Sequence, residues 1–459
     1  MPLLQDIPPF LLAYDPGPIG FSKVAVNRYV SFRFHSWEPH QKHPVASCLS
    51  TFGEVTRLDS YTDYYLTHHG LFPRPRMDIV SVSSTSPVSS TSPLSSSHED
   101  VVFSLDPQGA SLFDDALSYR LLPDGSHQVD IFVANAVHGL LVNDLWNWAT
   151  LLDLPSTLYL GERKLSLFPT SWSQHHSLTS GFPRSALRLR LVYSSSGDVL
   201  TNSDFAIVSV SLSHNYVYGM ANVDAIDSLC SLASRLHSAP PFTDDAEMQQ
   251  RWMVSFWMTT YNHHVASVML QHQQPAFWTC PSEPGLHPSR LCLWNTLQEG
   301  LYEGDGRVQG LCYHIGSTDT GFLKTTSPLR RRIDLWNQAL LLSCLGFDLE
   351  PSSWVKSVVP LLPVWDRRSH VCSKLQRNIS LLRLAASFSH TNTLLVGRIV
   401  DVSSSSNVLV YMESLRILLW CHVPIGHVVV GRHGHFHLYY FELSSHLKKK
   451  VRIEFVAWL

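Results

Sequence analysis

Residues 105–138 read LDPQGASLFDDALSYRLLPDGSHQVDIFVANAVH, and the rest of the chain is understood from this stretch outward. Asp106, Asp114 and Asp115 fall within ten residues, with Pro107 and Gly109 bending the chain after the first of them. Carboxylates this close repel one another unless a cation or a proton intervenes, and hard oxygen ligands in such a cluster suit Mg2+. Turn-forming and capping aspartates give the same spacing, so the cluster alone leaves both readings open. The apolar run that follows predicts a strand over Gln128–Leu141.

Further strands are predicted over Ala186–Tyr193 and Asp204–Leu212. The strongest helix is predicted from about Asp244 to Gln271, where Asp244 and Glu247 have the spacing of a capping box and Trp252, Phe256, Val265 and Met269 recur on related faces. Strands followed by helices in this order predict an α+β central domain. Upstream, VAVNRYVSFRF (24–34) alternates apolar and polar residues as a half-buried strand does, which fits a small β-barrel. Residues 80–100 hold the near repeat SSTSPV and SSTSPL in a Ser/Thr/Pro-rich stretch with too little apolar surface to pack, so they read as a mobile linker. Downstream of Leu394, LLVGRIVDV, NVLVYMES, ILLWCHV, HVVVG, HFHLYYF and VRIEFVAWL follow one another at the rhythm of an OB-type barrel.

The chain has 459 residues and 44% hydrophobic content, enough for a sizeable core and, at roughly 100–200 residues per domain, for two to four domains. A net charge of −3 conceals local basic runs at Arg330–Arg332, Arg367–Arg368 and Lys448–Lys450. A polyanion would therefore be met at patches, although each run alone is equally well a solvated loop. Eight cysteines without a C-x-x-C pair indicate neither a zinc knuckle nor a disulfide framework, and suit a reducing compartment. No apolar run is long enough to span a bilayer, and the start of the chain suits neither a secretory signal nor a clear transit peptide. The expectation is an intracellular protein, cytoplasmic or organellar, mitochondria included, and not secreted. His433, His435 and His437 alternate on one strand face; three imidazoles there could take a metal, while an ordinary solvent-facing strand explains them as well.

Residues 105–138 resemble the signature of the RNB family of 3′ to 5′ exoribonucleases, the RNase II and RNase R group, in which a D-P-x-G turn precedes an acidic D-x-D-D motif and a strand ending in H-I-A-D-V-S-H. The resemblance continues in order along the chain. STLYLGERKLSLFP (156–169) is similar to the family's Y-L-P stretch, with Tyr159 in the place of the tyrosine that clamps the terminal nucleotide. MVSFWMTTYNHHVASVMLQHQQPAFW (253–278) resembles the helix with an Ala-Asn-Arg motif, keeping Asn262 and placing His263 at the arginine. HIGSTDTGFLKTTSPLRRRIDL (314–335) keeps the spacing from H-x-G to T-S-P-L-R-R-x-x-D-L, and Arg330 falls on the arginine that contacts the scissile phosphate. Trp37 and HHGLFP (68–73) resemble the end of a cold-shock-type barrel.

The resemblance implies an α+β fold, a central RNB domain (101–385) flanked by a partial N-terminal OB-type barrel (1–78) and a C-terminal one (393–459), with the linker at 79–100. It implies a 3′ to 5′ hydrolytic exoribonuclease-like protein acting on single-stranded RNA, alone or in a ribonucleoprotein or RNA-degradation complex. Asp106, Asp114 and Asp115 would hold Mg2+ or Mn2+, Asp114 and Arg330 would serve catalysis, and Tyr159, Arg330 and Arg331 would bind RNA. Against this stand Leu112 at the second of the four acidic positions, Phe132 and Asn135 at the histidine and aspartate of H-I-A-D, and Arg332 at a tyrosine. There is one N-terminal barrel where full-length relatives have two, and the stretch between His237 and Glu247 is short for the family's second stacking hairpin. Leucine can neither coordinate a cation nor orient water, and even losses around metal ligands typically cost about 10- to 100-fold. The competing expectation is an inactive RNB pseudonuclease that holds RNA as a scaffold subunit.

Overall fold

The computed structural model describes residues 7–13, 26–71, 101–142, 146, 154–161, 163–200, 204–236, 245–274, 276–280, 310–314, 322–346, 351–388, 394–404, 406–412, 414–415, 417–424, 428–443 and 448–459. The predicted linker and residues 315–321 of the 314–335 motif lie outside these residues. Strands β1 (Leu11–Leu12), β2 (Arg28–Ser36) and β3 (Val45–Glu54) form a three-stranded sheet in the order β1-β3-β2. The helix Leu58–His68 follows, and its Tyr64 stacks on Tyr29 of β2 with ring centroids 4.7 Å apart.

The central sheet is built from β4 (Val102–Asp106), β5 (Asp115–Leu121), β6 (His127–Ala134), β9 (Pro183–Tyr193), β10 (Asp204–Ser211) and β11 (His214–Val217), in the order β10-β9-β6-β5-β4-β11; the hairpin β7 (Leu158–Leu160) and β8 (Arg163–Leu165) stands apart. Every pairing in the sheet is antiparallel except β11 with β4. Local chemistry sets the β5–β6 turn: Asp124 accepts from the Ser126 N–H at 2.9 Å, and Gly125 takes φ +80°, where a side chain would be strained. The strand predicted to run to Leu141 stops at Ala134. Asn135 Oδ1 accepts the His138 N–H at 3.2 Å and turns the chain into the helix Ala136–Val142, because a capping amide competes with the ladder.

The helix Ala246–Gln271 is the axle of the core. Asp245, one residue beyond the predicted cap, accepts the Met248 N–H at 3.2 Å, since an N-cap carboxylate reaches the third residue after it. Glu247 instead pairs with Arg251 one turn on. Met248, Trp252, Met253, Trp257, Tyr261, Val265 and Met269 are all buried, as expected of a helix packed on several sides. The helices Asp224–Leu236 and Arg332–Cys344 pack against it.

Strands β12 (Ala276–Cys280), β13 (Gly310–His314) and β14 (Phe322–Leu323) make a small sheet, and β15 (Leu394–Ser404), β16 (Asn407–Met412), β17 (Ile417–His422), β18 (His433–Leu443) and β19 (Lys448–Trp458) form the terminal one, ordered β17-β16-β15-β18-β19. Cys421 Sγ on β17 lies 3.8 Å from the Ile453 carbonyl on β19, so the outer strands curl toward each other around Ile399, Val410 and Phe436. The predicted HVVVG strand is not one. Its described residues form a turn in which Gly431, at φ +92°, donates to Ile399 O. No helix among the described residues is long and apolar enough to cross a membrane.

One histidine records how tightly the central packing is made. The helices Ala136–Val142 and Thr170–His176 meet at Gly139, where the His176 ring occupies the space a side chain would need. Burial, with some help from His175, His138 and Arg184, pushes the His176 pKa down to about 3 from 6.5. The folded protein thus keeps His176 neutral while the unfolded chain takes up a proton below about pH 6.5, so this part of the stability is complete above that pH and is lost as pH falls toward 3. The thermal midpoint should drop between pH 6.5 and 4, and a His176→Phe variant should show a smaller drop over the same interval.

Candidate nucleic-acid interface

Asp114 enters β5 from the LDPQGASLF turn, and its own carbonyl accepts the Ala134 N–H at 2.8 Å. Its side chain is 2% exposed. A buried carboxylate must be met by donors, and here they come from the TTSPLRR turn: Leu329 N–H at 2.9 Å from Oδ1 and Arg330 Nε at 2.9 Å from Oδ2. Arg330 also donates from Nη2 to Ser327 Oγ at 3.1 Å, and its carbonyl accepts the Thr157 N–H at 2.8 Å. That backbone bond, with Ser156 bridging to Arg331 and Arg332 N–H reaching Pro155 O, lays residues 154–157 against the turn.

The hairpin that follows carries Tyr159 into the same place. Tyr159 is 44% exposed, its N–H donates to Gln376 Oε1 at 2.7 Å, and it faces Lys164 across the hairpin. The hairpin's Gly161 lies at φ +73° with the Arg383 guanidinium over it, so only glycine fits there. Desolvation raises the Tyr159 hydroxyl above its usual range, with Arg330 opposing and Asp114 reinforcing the shift. Tyr159, Asp114 and Arg330, far apart in sequence, therefore share one electrostatic environment. An exposed aromatic face beside a partly exposed guanidinium is chemistry suited to a nucleotide and its phosphate.

The acidic cluster differs from expectation. Asp114 and Asp115 are consecutive residues at a strand entry, where side chains turn to opposite faces, and the Asp114 carboxylate is already committed to Leu329 and Arg330. Leu112 adds only hydrocarbon. Among the described residues no three His, Cys, Asp or Glu side chains gather where they could hold one metal ion. Asp106, at the end of β4, has its Oδ2 buried. On the histidine strand, His433 Nε2 accepts from Arg398 Nε at 2.9 Å.

The three arginines of the basic run have three different surroundings. Arg330 meets Asp114; Arg331, expected to bind RNA, is turned back by Asp334 Oδ1 at 2.9 Å and Ser327 Oγ at 2.8 Å; Arg332 is buried, its guanidinium 3.7 Å from the Trp365 ring centroid. Asp334 also accepts the Ser327 N–H at 2.8 Å, which fixes the turn at the head of its helix. Asn262 accepts from both the N–H and the hydroxyl of Thr325, at 2.9 and 2.7 Å, so its role is to hold that turn. Phe132 is buried in the sheet. Sequence reasoning passed over Lys164 and Gln376; the glycine-centred turn of YLGERK is the signal that could have placed Lys164 opposite Tyr159.

Residues 96–228 match the family model described as the RNB domain. Exosome complex exonuclease dis3 of Schizosaccharomyces pombe is 23% identical over 155 residues, which is 31% of this chain and 16% of that protein, so the chain spans a small part of this relative's length. The fold resembles that of Mycoplasma genitalium RNase R, solved in complex with double-stranded RNA, at a TM-score of 0.66 and 13% identity over 97% of this chain and 91% of that one. It also resembles yeast Ssd1, a pseudonuclease, at a TM-score of 0.61 and 12% identity over 90% and 62% of the two chains.

Replacing Arg330 by Met should leave the buried Asp114 carboxylate with the Leu329 N–H alone and lower stability in a urea melt by about 1–3 kcal/mol, less than a fully buried pair would lose because Arg330 is partly solvated. Adding Asp114→Asn to that variant should recover part of the loss.

Proposed function

We propose that this chain, a divergent member of the RNB family, takes the 3′ end of single-stranded RNA against the site formed by Tyr159 and Arg330 and acts as an RNA-binding, exoribonuclease-like protein. The observation that carries this reading is the convergence of an exposed tyrosine and an anchored guanidinium from two distant motifs of the family pattern. Tyr159 would stack on or pack against the terminal nucleotide. Arg330, oriented by Asp114 and Ser327, would contact the phosphate. The terminal sheet, shaped like an OB-type barrel, would grip the strand without reading base edges, which fits affinity without sequence preference. The proposed organisation is the one expected from the sequence, with the RNB domain over 101–385 between barrels over 1–78 and 393–459. An intracellular setting with RNA, and membership of an RNA-degradation or ribonucleoprotein complex, belong to the same reading.

The family pattern implies hydrolysis by water activated on Mg2+ or Mn2+. Leu112 lacks the ligand that the family pattern has at its position. A second reading, consistent with the same site, is that the protein holds RNA without cutting it.

A 5′-labelled single-stranded RNA, incubated with the protein in Mg2+ or Mn2+ and alongside its Asp114→Asn variant, separates the two. Holding without cutting predicts tight binding in a filter or anisotropy assay and no shortening. A ladder receding from the 3′ end that vanishes in the variant would establish the nuclease. Absence of both binding and shortening would refute the proposal.

A further inference from the structure

Lys164 lies beside the segment where the acidic cluster departs from its family pattern. Its Nζ is 3.0 Å from Ser111 Oγ, the residue before Leu112, and 5.5 Å from the centroid of the Tyr159 ring. Register explains the position: Tyr159 and Lys164 are directly paired across the β7–β8 hairpin, so their side chains leave the same face. The hairpin is itself tied down. Arg163 pairs with Asp63 of the Leu58–His68 helix, Gln376 holds the Tyr159 N–H, and Arg383 covers Gly161. The ammonium is thus presented from a fixed support, although its own stem is flexible.

The charges acting on Lys164 are Asp114, which favours its protonated form, and Arg330, which opposes it, while desolvation is the largest influence and lowers its pKa. Asp114 is already neutralised by Arg330 at 2.9 Å. Lys164 and Arg330 thus bring two positive charges to the side of Asp114. A lysine ammonium is a compact point charge well suited to phosphate oxygens.

We propose that Lys164, together with Arg330, supplies at this site the positive charge that a divalent cation would otherwise bring, so that the chain binds the phosphodiester backbone at an RNA 3′ end without metal. The inference rests on the RNA-binding reading above and goes beyond it by naming the residue and the metal independence. The Lys164 ammonium lies over the Tyr159 ring and donates to the Ser111 hydroxyl. The replacement of an acidic residue by Leu112 and the presence of a cation next to it then form one coherent change, which lowers the negative charge around the phosphate.

The test is a fluorescence-anisotropy titration of a labelled single-stranded oligoribonucleotide with the full chain, in EDTA and in Mg2+, across a series of salt concentrations. The wild-type Kd should agree within about two-fold between the two buffers, and Lys164→Met should raise it about 5- to 10-fold while reducing the slope of log K against log salt by about 0.7, the loss of one phosphate contact to a single strand. Lys164→Arg should retain both affinity and slope. Thermal melts of Lys164→Met should match the wild type, since its side chain is partly exposed. A wild type that binds RNA only with Mg2+, or a Lys164→Met protein with unchanged Kd and salt slope, would overturn the inference while leaving RNA binding intact. A wild type that binds no RNA in either buffer would overturn the RNA-binding reading, and this inference with it.

Discussion

The carboxylate of Asp114 is withdrawn from water, and a charge so placed costs several kcal/mol unless hydrogen-bonded cations or dipoles meet it. The structure meets it with the Leu329 N–H and the Arg330 guanidinium, both from one turn distant in sequence. This links the entry of β5 to the head of the Arg332–Cys344 helix. The same turn takes the Thr157 N–H on the Arg330 carbonyl, and so brings residues 154–157 and the hairpin after them into place. Tyr159 and Lys164 arrive at the site because a buried negative charge had to be satisfied nearby.

The turn can serve this purpose because it is held from behind. Asp334 accepts from Ser327 and Arg331, and Asn262 accepts twice from Thr325, so the segment between them has little freedom. Arg332 continues inward, stacking over Trp365 and approaching Trp336, and donates to the Leu154 carbonyl at 2.5 Å. A guanidinium can be buried in this way because its flat faces accept aromatic contact while its edge finds a carbonyl. Three consecutive arginines thus divide between a site, a turn and a core.

The chemistry of the cluster follows from the same arrangement. Asp114 is paired with Arg330, Leu112 is apolar, and Lys164 stands beside Ser111. A fold shared among proteins of different activity leaves the distinction between them to the side chains of the site. On the reading proposed above, these side chains bind phosphate.

Much of the architecture was legible in residue order alone. The alternation in β2, the apolar runs of β9 and β10, the long central helix and all five terminal strands follow from periodicity and punctuation, which are local properties. The motif around Asp106 and Asp114, the tyrosine at 159 and the arginine at 330 could be singled out from their resemblance to the RNB-family pattern. Tertiary structure decided what spacing cannot express. It showed that Asn135 ends its strand by capping a helix, that HVVVG turns at Gly431, and that Arg331 and Arg332 serve the fold. It also showed that Lys164 stands over Tyr159 and that Asp114 is met by Leu329 and Arg330. The physical reason is that hydrogen-bonding and charge requirements are satisfied by whichever partner the fold brings within about 3 Å, and that partner is usually distant in sequence.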